Sequence, residues 1–266
     1  MNIPIQTVRT ETFSMRYFTF GQGDRPLVIL PGLSVKSVMD SAAAVSRRYR
    51  VFSEAFTVYV FDRRESLPPV YTIRDMARDT AEAIRCLGLT DVCLFGASQG
   101  GMIALEMAVS YPERISKLAL GSSAARVGRP QLSVLETWMD LAKAGDAVPL
   151  YDAFGARLFP PRLYESFRGA FLASAADVTA EDLARFLVLS EGSRDFDLTD
   201  RLSGIRCPVL ALGSWDDAVL GAVATLEYAG ALGTKKDFSL YMYRGYGHAA
   251  YDTAPDYPER QFRFFR

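Results

Sequence analysis

The sequence predicts an α/β fold: a mainly parallel sheet covered by helices on both faces, interrupted by a helical insert. Three observations carry this. Short apolar runs alternate with helix-periodic stretches through the first half of the chain. The alternation stops after Gly121 and resumes near Val209. Between those points the pattern is helical, with no convincing strand. Strand–helix alternation implies parallel strands joined by right-handed crossovers and buried on both faces. The 266 residues suit one large core, or a core carrying a lid, against a prior of about 150 residues per domain. The expected division is a core formed by 1–125 and 201–266 and a helical cap at 126–200.

The elements follow in order. The N-terminal stretch alternates like paired strands. It has no basic start followed by an apolar run, so no signal peptide is expected. Residues 27–30 (LVIL) read as a buried strand ending at Pro31-Gly32, and 35–48 as a helix. Residues 57–61 (TVYVF) are a β-branched and aromatic strand. Thr72 caps the next helix with Asp75 three residues on; Ile73, Met76, Ala77, Thr80, Ile84 and Leu87 form its buried face, and Gly88 stops it. Strands at 92–95 and 116–120 flank a helix at 99–111 that ends before Pro112.

The insert reads as helices at 131–144, 147–158, 162–175 and 180–189, punctuated by Pro149, Pro160-Pro161 and Gly192. Nine aromatics fall there: Trp138, Tyr151, Phe154, Phe159, Tyr164, Phe167, Phe171, Phe186 and Phe196. They either pack the helices together or face a pocket between insert and sheet, where a ligand site is expected. A strand at 209–212, a helix at 218–232, a strand at 238–243 and a terminal helix at 258–265 complete the chain.

Composition excludes several classes. Hydrophobic residues make up 49% and charged residues 23%, which is globular rather than disordered usage. Thirty Lys+Arg against 31 Asp+Glu leave a net charge of -1, so a basic nucleic-acid binder is not expected. Arg47-Arg48 with Arg50, and Arg63-Arg64, read as solvated surface. Cys86, Cys93 and Cys207 are too few and too scattered for a disulfide framework or a zinc site, and read as buried small hydrophobes. No apolar run reaches the roughly 18 residues of a membrane span, and a soluble cytoplasmic protein is expected.

Chemistry concentrates in a few loops. Gly96-Ala97-Ser98-Gln99-Gly100 matches G-x-S-x-G directly after a strand and directly before a helix. That context is a nucleophile elbow: the sharp turn strains the serine backbone so that Oγ projects above the sheet. Glycines at 96 and 100 avoid clashes, and the helix N-terminus supplies partial positive charge. A serine hydroxyl needs a base, and His248 is the sole histidine. It lies past the last strand, at the sheet edge where such folds place ligands. A carboxylate must orient it. Asp216 and Asp217 both follow the preceding strand. Neighbours in a loop point different ways, so only one reaches the imidazole; Asp217 suits capping of the next helix. The backbone N–H of Gln99, and that of Leu33 in the turn Pro31-Gly32-Leu33-Ser34, are the expected oxyanion donors.

These loops resemble those of α/β-hydrolases: LPGLS at 30–34, GASQGG at 96–101, GSWDDAV at 213–219 and GYGH at 245–248. The resemblance runs nearly end to end. It implies a mostly parallel eight-stranded sheet, with the acid after the penultimate core strand in G-x-x-D-x-x-V. Counted from Gly213 that acid is Asp216, with Val219 in register. The layout is also similar to the capped subgroup of enol-lactonases, haloperoxidase-like esterases and C–C bond hydrolases, in which the lid is inserted between the sixth and seventh core strands.

Three departures stand out. Pro31 replaces a common histidine. Asp62-Arg63-Arg64-Glu65-Ser66 replaces a Gly-containing loop after the fourth strand. The lid carries no sequence signature that matches one substrate. Within the capped subgroup GASQGG is close to a frequent elbow with methionine at the position of Gln99. Serine at 98 separates the chain from epoxide hydrolases and haloalkane dehalogenases, which use aspartate. The elbow also differs from the GGSWG of proline iminopeptidases.

The leading expectation is a serine hydrolase of a small ester, lactone or thioester, acting on a small-molecule acyl substrate with no metal or organic cofactor. Two alternatives share the fold. One is C–C bond hydrolysis of a β-diketone or ring-cleavage product, for which Arg126, Arg129, Arg157 or Arg168 is available to bind an acid, although each reads first as solvated surface. The other is a receptor that turns over little.

Overall fold

The computed structural model describes residues 3–266. Met1 and Asn2, the start of the predicted N-terminal strand stretch and of the 1–125 segment, lie outside the described residues. Eight strands form one sheet: β1 (Ile5–Arg9), β2 (Ser14–Phe20), β3 (Arg25–Leu30), β4 (Phe56–Arg64), β5 (Val92–Ala97), β6 (Ile115–Gly121), β7 (Val209–Ser214) and β8 (Phe238–Tyr243). Their order is β1-β2-β4-β3-β5-β6-β7-β8. The β1–β2 and β2–β4 pairs are antiparallel and all the others parallel. This is the expected mostly parallel eight-stranded α/β sheet, with an antiparallel edge.

The helices are α1 (Ala42–Arg48), α2 (Ile73–Cys86), α3 (Gln99–Ser110), α4 (Arg129–Lys143), α5 (Ala147–Leu158), α6 (Pro161–Ala173), α7 (Ala180–Glu191), α8 (Ala222–Leu232), α9 (Ala250–Thr253) and α10 (Tyr257–Phe265). Side chains alternate across the sheet, as pleating requires. Leu94 joins the apolar cluster on the face packed by α2 and α3. Its neighbours Cys93 and Phe95 join the cluster on the opposite face, with Phe52, Tyr257 and Phe265. Both faces of β5 are therefore buried, which places its C-terminal turn at the centre of one sheet edge.

Thr72 and Asp75 close the predicted capping box on α2: each side chain takes the other residue's backbone N–H. The helix expected at 35–48 is shorter. Ser37 caps a single 3-10 turn at Val38–Ser41, and only then does α1 begin. The helix expected at 218 starts at Ala222, because Asp217 takes the N–H groups of Val219 and Leu220 and Gly221 follows at φ +79°. Strand β4 runs on through Asp62, Arg63 and Arg64. Asp62 and Arg63 are buried, not solvated surface. Their charge hid the strand, since nothing local reveals buried partners.

Between β6 and β7 lie α4 to α7. This insert is cinched at its base. Val127 N–H donates to the Phe196 carbonyl at 2.9 Å and Leu198 N–H to the Ala125 carbonyl at 2.8 Å. Rings interlock within it: Trp138 and Phe154 have centroids 4.4 Å apart, and Phe159 meets Phe167 edge-on at 4.9 Å.

Cys93 and Cys207 are buried as expected, but Cys86 is exposed. It lies off the apolar face of α2, in contact with Glu82. Alkylation of the native protein is expected to modify one thiol, and alkylation after denaturation three. Rapid modification of a second native thiol would contradict the burial of Cys93 and Cys207. No helix among the described residues is long and apolar enough to cross a membrane.

Candidate active site

The turn from β5 into α3 holds Ser98 at φ 52° and ψ -120°, a conformation that costs a non-glycine residue of order 1–3 kcal/mol. Core packing of β5 and α3 on both sides of the turn sustains that strain. Ser98 lines a cavity of about 960 Å³ between the sheet edge and the insert. The two expected oxyanion donors lie on the segments that flank Ser98 in the fold: Gln99 follows it in the chain, and Leu33 follows β3, which pairs with β5. Gln99 begins α3, so its N–H has no partner one turn earlier. Leu33 sits in the turn after β3 and also lines the cavity. Among the described residues neither N–H donates to a turn or loop carbonyl.

His248 lies in the loop between β8 and α9 and is 1% exposed. Its Nδ1 is 2.8 Å from Asp217 Oδ2, and its Nε2 is 2.9 Å from Ser98 Oγ. With Nδ1–H donating to the carboxylate, Nε2 is left to accept the serine hydroxyl. The Tyr251 ring stands perpendicular to the imidazole, with centroids 6.0 Å apart.

The expectation that Asp216 contacts the imidazole is corrected here. Asp216 turns away from it. Its Oδ1 accepts the Gly245 N–H and its Oδ2 the Gly247 N–H, both at 3.0 Å, and Ser214 Oγ donates to Oδ1 at 2.8 Å. Asp216 thus pins the loop that carries the histidine. Asp217 does two jobs: Oδ2 meets the imidazole, while Oδ1 accepts from Val219 and Leu220. The capping expected of Asp217 is therefore present, but on a turn before α8.

Gly247 must be glycine. It sits at φ +64°, and a Cβ there would stand 2.7 Å from the Leu158 carbonyl at the end of α5. The neighbouring Ala249 N–H donates to that same carbonyl at 3.0 Å. The insert and the histidine loop are in backbone contact.

Burial alone would raise the pKa of Asp217. The charge and hydrogen bond of His248, with the Leu220 and Val219 N–H groups, outweigh it and hold the carboxyl below its usual range. A depressed folded value makes the carboxylate stabilising at neutral pH. That contribution is full above the unfolded value, about 3.9, and is lost as pH falls through the lower folded one. The Tm difference between wild type and Asp217→Asn is therefore expected to be largest near neutrality and to shrink below about pH 4. A difference independent of pH would contradict the depressed value.

Insert aromatics build the cavity's far wall: Trp138, Tyr151, Phe154, Phe159 and Phe171 line it, with Leu158. Tyr164, Phe167, Phe186 and Phe196 do not line it. None of Arg126, Arg129, Arg157 and Arg168 lines it either. Arg126 is paired with Glu227 at 2.8 Å and Arg168 with Asp152 at 2.7 Å. The cations that do line the cavity, Lys36, Arg47 and Arg48, come from the segment after β3. Sequence reasoning missed the buried Arg63 and the side chain of Gln99. Their hydrogen bonds span distant segments and leave no local signal.

A model of the alpha/beta hydrolase family matches residues 27–260. The chain belongs to that family. A 3-oxoadipate enol-lactonase from Acinetobacter baylyi is 23% identical over 80% of this chain and 79% of its own. Among solved structures, an alpha/beta hydrolase enzyme from a Medee basin deep-sea metagenome library superposes with a TM-score of 0.86 at 20% identity, covering 98% of this chain and 97% of that one. The enol-lactonase from Burkholderia xenovorans reaches 0.82 at 21% identity, covering 98% and 99%. For this member of the family, the structural likenesses establish the fold.

Proposed function

We propose that the protein is a serine hydrolase that cleaves a carboxylic ester, lactone or thioester through an acyl-enzyme. The observation that carries this is the unbroken chain of contacts from Ser98 Oγ through His248 to Asp217, at 2.9 and 2.8 Å. Family membership and the enol-lactonase relative support hydrolysis as the reaction class.

In this reading Ser98 Oγ attacks the substrate carbonyl carbon, and Nε2 of His248 takes the hydroxyl proton. Asp217 keeps the imidazole in the reactive tautomer and stabilises its charged form. The carbonyl oxygen gains negative charge and receives the N–H groups of Leu33 and Gln99. The tetrahedral intermediate collapses, and the leaving alcohol or thiol takes the proton from Nε2. His248 then deprotonates a water that attacks the acyl-enzyme, releasing the acid and restoring Ser98.

The aromatic wall that the insert lends the cavity favours an apolar acyl group against it, with the lining cations Lys36, Arg47 and Arg48 on the segment after β3. The cavity also admits acyl groups larger than the small ones expected from sequence. A fluorophosphonate probe tests the reading. Wild type is expected to label covalently with loss of esterase activity, and Ser98→Ala neither to label nor to hydrolyse. Folded wild-type protein that resists labelling would favour a receptor and end the proposal.

A further inference from the structure

Arg63 is the penultimate residue of β4 and is 4% exposed, the depth of a core residue. A guanidinium at that depth burdens the fold unless it is well engaged. Burial lowers its pKa to about 10, partly offset by the Asp62 charge, so it stays protonated at neutral pH. Its Nε has no acceptor among the described residues. Its Nη2, by contrast, serves two. It donates to the Pro31 carbonyl at 2.8 Å and to Gln99 Oε1 at 3.3 Å.

Those two acceptors belong to the two segments that carry the proposed oxyanion donors. Pro31 leads into Gly32-Leu33, and Gln99 follows Ser98. From Gln99 the network crosses to the insert: Nε2 donates to the Leu189 carbonyl at 2.7 Å and to Ser193 Oγ at 2.9 Å. Arg185 of α7 returns the link, donating to Asp62 Oδ1 at 3.0 Å and to the Arg64 carbonyl at 2.9 Å. Two of the places where the sequence departs from the family pattern, Pro31 and the 62–66 stretch, thus meet at one guanidinium, together with the Gln99 side chain. Arg63 does not line the cavity, so it acts through its neighbours.

We propose that Arg63 is a positioning residue for the oxyanion site: it sets the spacing of the Leu33 and Gln99 N–H groups and, through the Gln99 side chain, couples that spacing to the seating of α7. The proposal rests on the acyl-enzyme reading above. Its physical basis is that donors act only when held where charge develops, and that a misplacement of about 1 Å costs on the order of a hundredfold in rate.

The test compares wild type with Arg63→Met, Arg63→Lys, Gln99→Met and the Arg63→Met/Gln99→Met pair. Fluorophosphonate titration counts the competent sites in each. The readouts are kcat and KM on a p-nitrophenyl ester, and the inhibition constant of phenylboronic acid, whose serine adduct is tetrahedral. Arg63→Met is expected to lower kcat and weaken phenylboronic acid by about 10- to 100-fold together, with KM within about threefold. Arg63→Lys recovers part of the loss, because one ammonium donor still reaches the Pro31 carbonyl. The pair loses no more than the worse single variant, as members of one unit do.

A merely structural arginine would lower Tm and the titrated fraction while leaving phenylboronic acid affinity per competent site unchanged, and that result overturns the proposal. If Arg63→Met does not fold, Arg63→Lys and Gln99→Met decide: unchanged boronate affinity in both overturns it equally. Wild type that never labels takes down the acyl-enzyme reading and this proposal together. Wild type that labels, with variants that bind boronate normally, removes this proposal alone.

Discussion

Asp217→Asn is expected to lower kcat by about 10³- to 10⁴-fold with little change in KM, whereas Asp216→Asn costs less than about tenfold. The two side chains are neighbours with the same charge, so the contrast isolates geometry. Asp217 Oδ2 is 2.8 Å from Nδ1 of His248. An asparagine can still cap Val219 and Leu220 through its oxygen, so the turn survives. Its amide nitrogen then faces Nδ1 as a donor. The imidazole must offer a lone pair there and carry its proton on Nε2, which is the wrong tautomer for accepting from Ser98. Asp216→Asn changes a different contact. One of the Gly245 and Gly247 N–H groups loses its acceptor, and the histidine loop loosens without losing its carboxylate partner. Steady-state kinetics on one p-nitrophenyl ester, with circular dichroism to verify folding, reads the contrast. A larger loss in Asp216→Asn would return the orienting role to Asp216.

That pair also shows how far the sequence could be read. The elbow, the lone histidine and an acid within one dipeptide were all legible, because each is tied to the end of a strand and strands announce themselves by apolar runs. Which aspartate turns inward was not. The choice is made by the N–H groups of Gly245 and Gly247, about thirty residues downstream, which capture Asp216 and leave Asp217 for the ring. A family spacing counted from Gly213 cannot register that competition. The exposure of Cys86 was legible and was missed: the face formed by Ile73, Met76, Ala77, Thr80, Ile84 and Leu87 leaves position 86 outside it. Arg63 shows a third case. Its charge argued for solvent, and only the carbonyl of Pro31 and the amide of Gln99, from two other strand ends, make burial tolerable.

Gly100→Ala is expected to destabilise the protein by more than about 3 kcal/mol or to prevent folding. A Cβ at that position would stand 2.1 Å from the Leu30 carbonyl oxygen and 2.5 Å from the Pro31 carbonyl oxygen. Both obstacles are backbone, so no rotamer change relieves them. Leu30 is held in the sheet by its pairing with Gly96 on β5. The first turn of α3 would therefore have to back away from the end of β3. That motion separates the two segments that carry the proposed oxyanion donors, so any folded fraction is expected to lose about a hundredfold in kcat as well. Gly169→Ala provides the contrast. It lies within α6 with open space around the added methyl, and is expected to be neutral or to stabilise by up to about 1 kcal/mol through helix propensity. Thermal melts of the two variants, with kcat per titrated site, separate the cases. A Gly100→Ala protein with wild-type Tm and kcat would mean that the close approach of β3 and α3 is not what fixes this edge of the site.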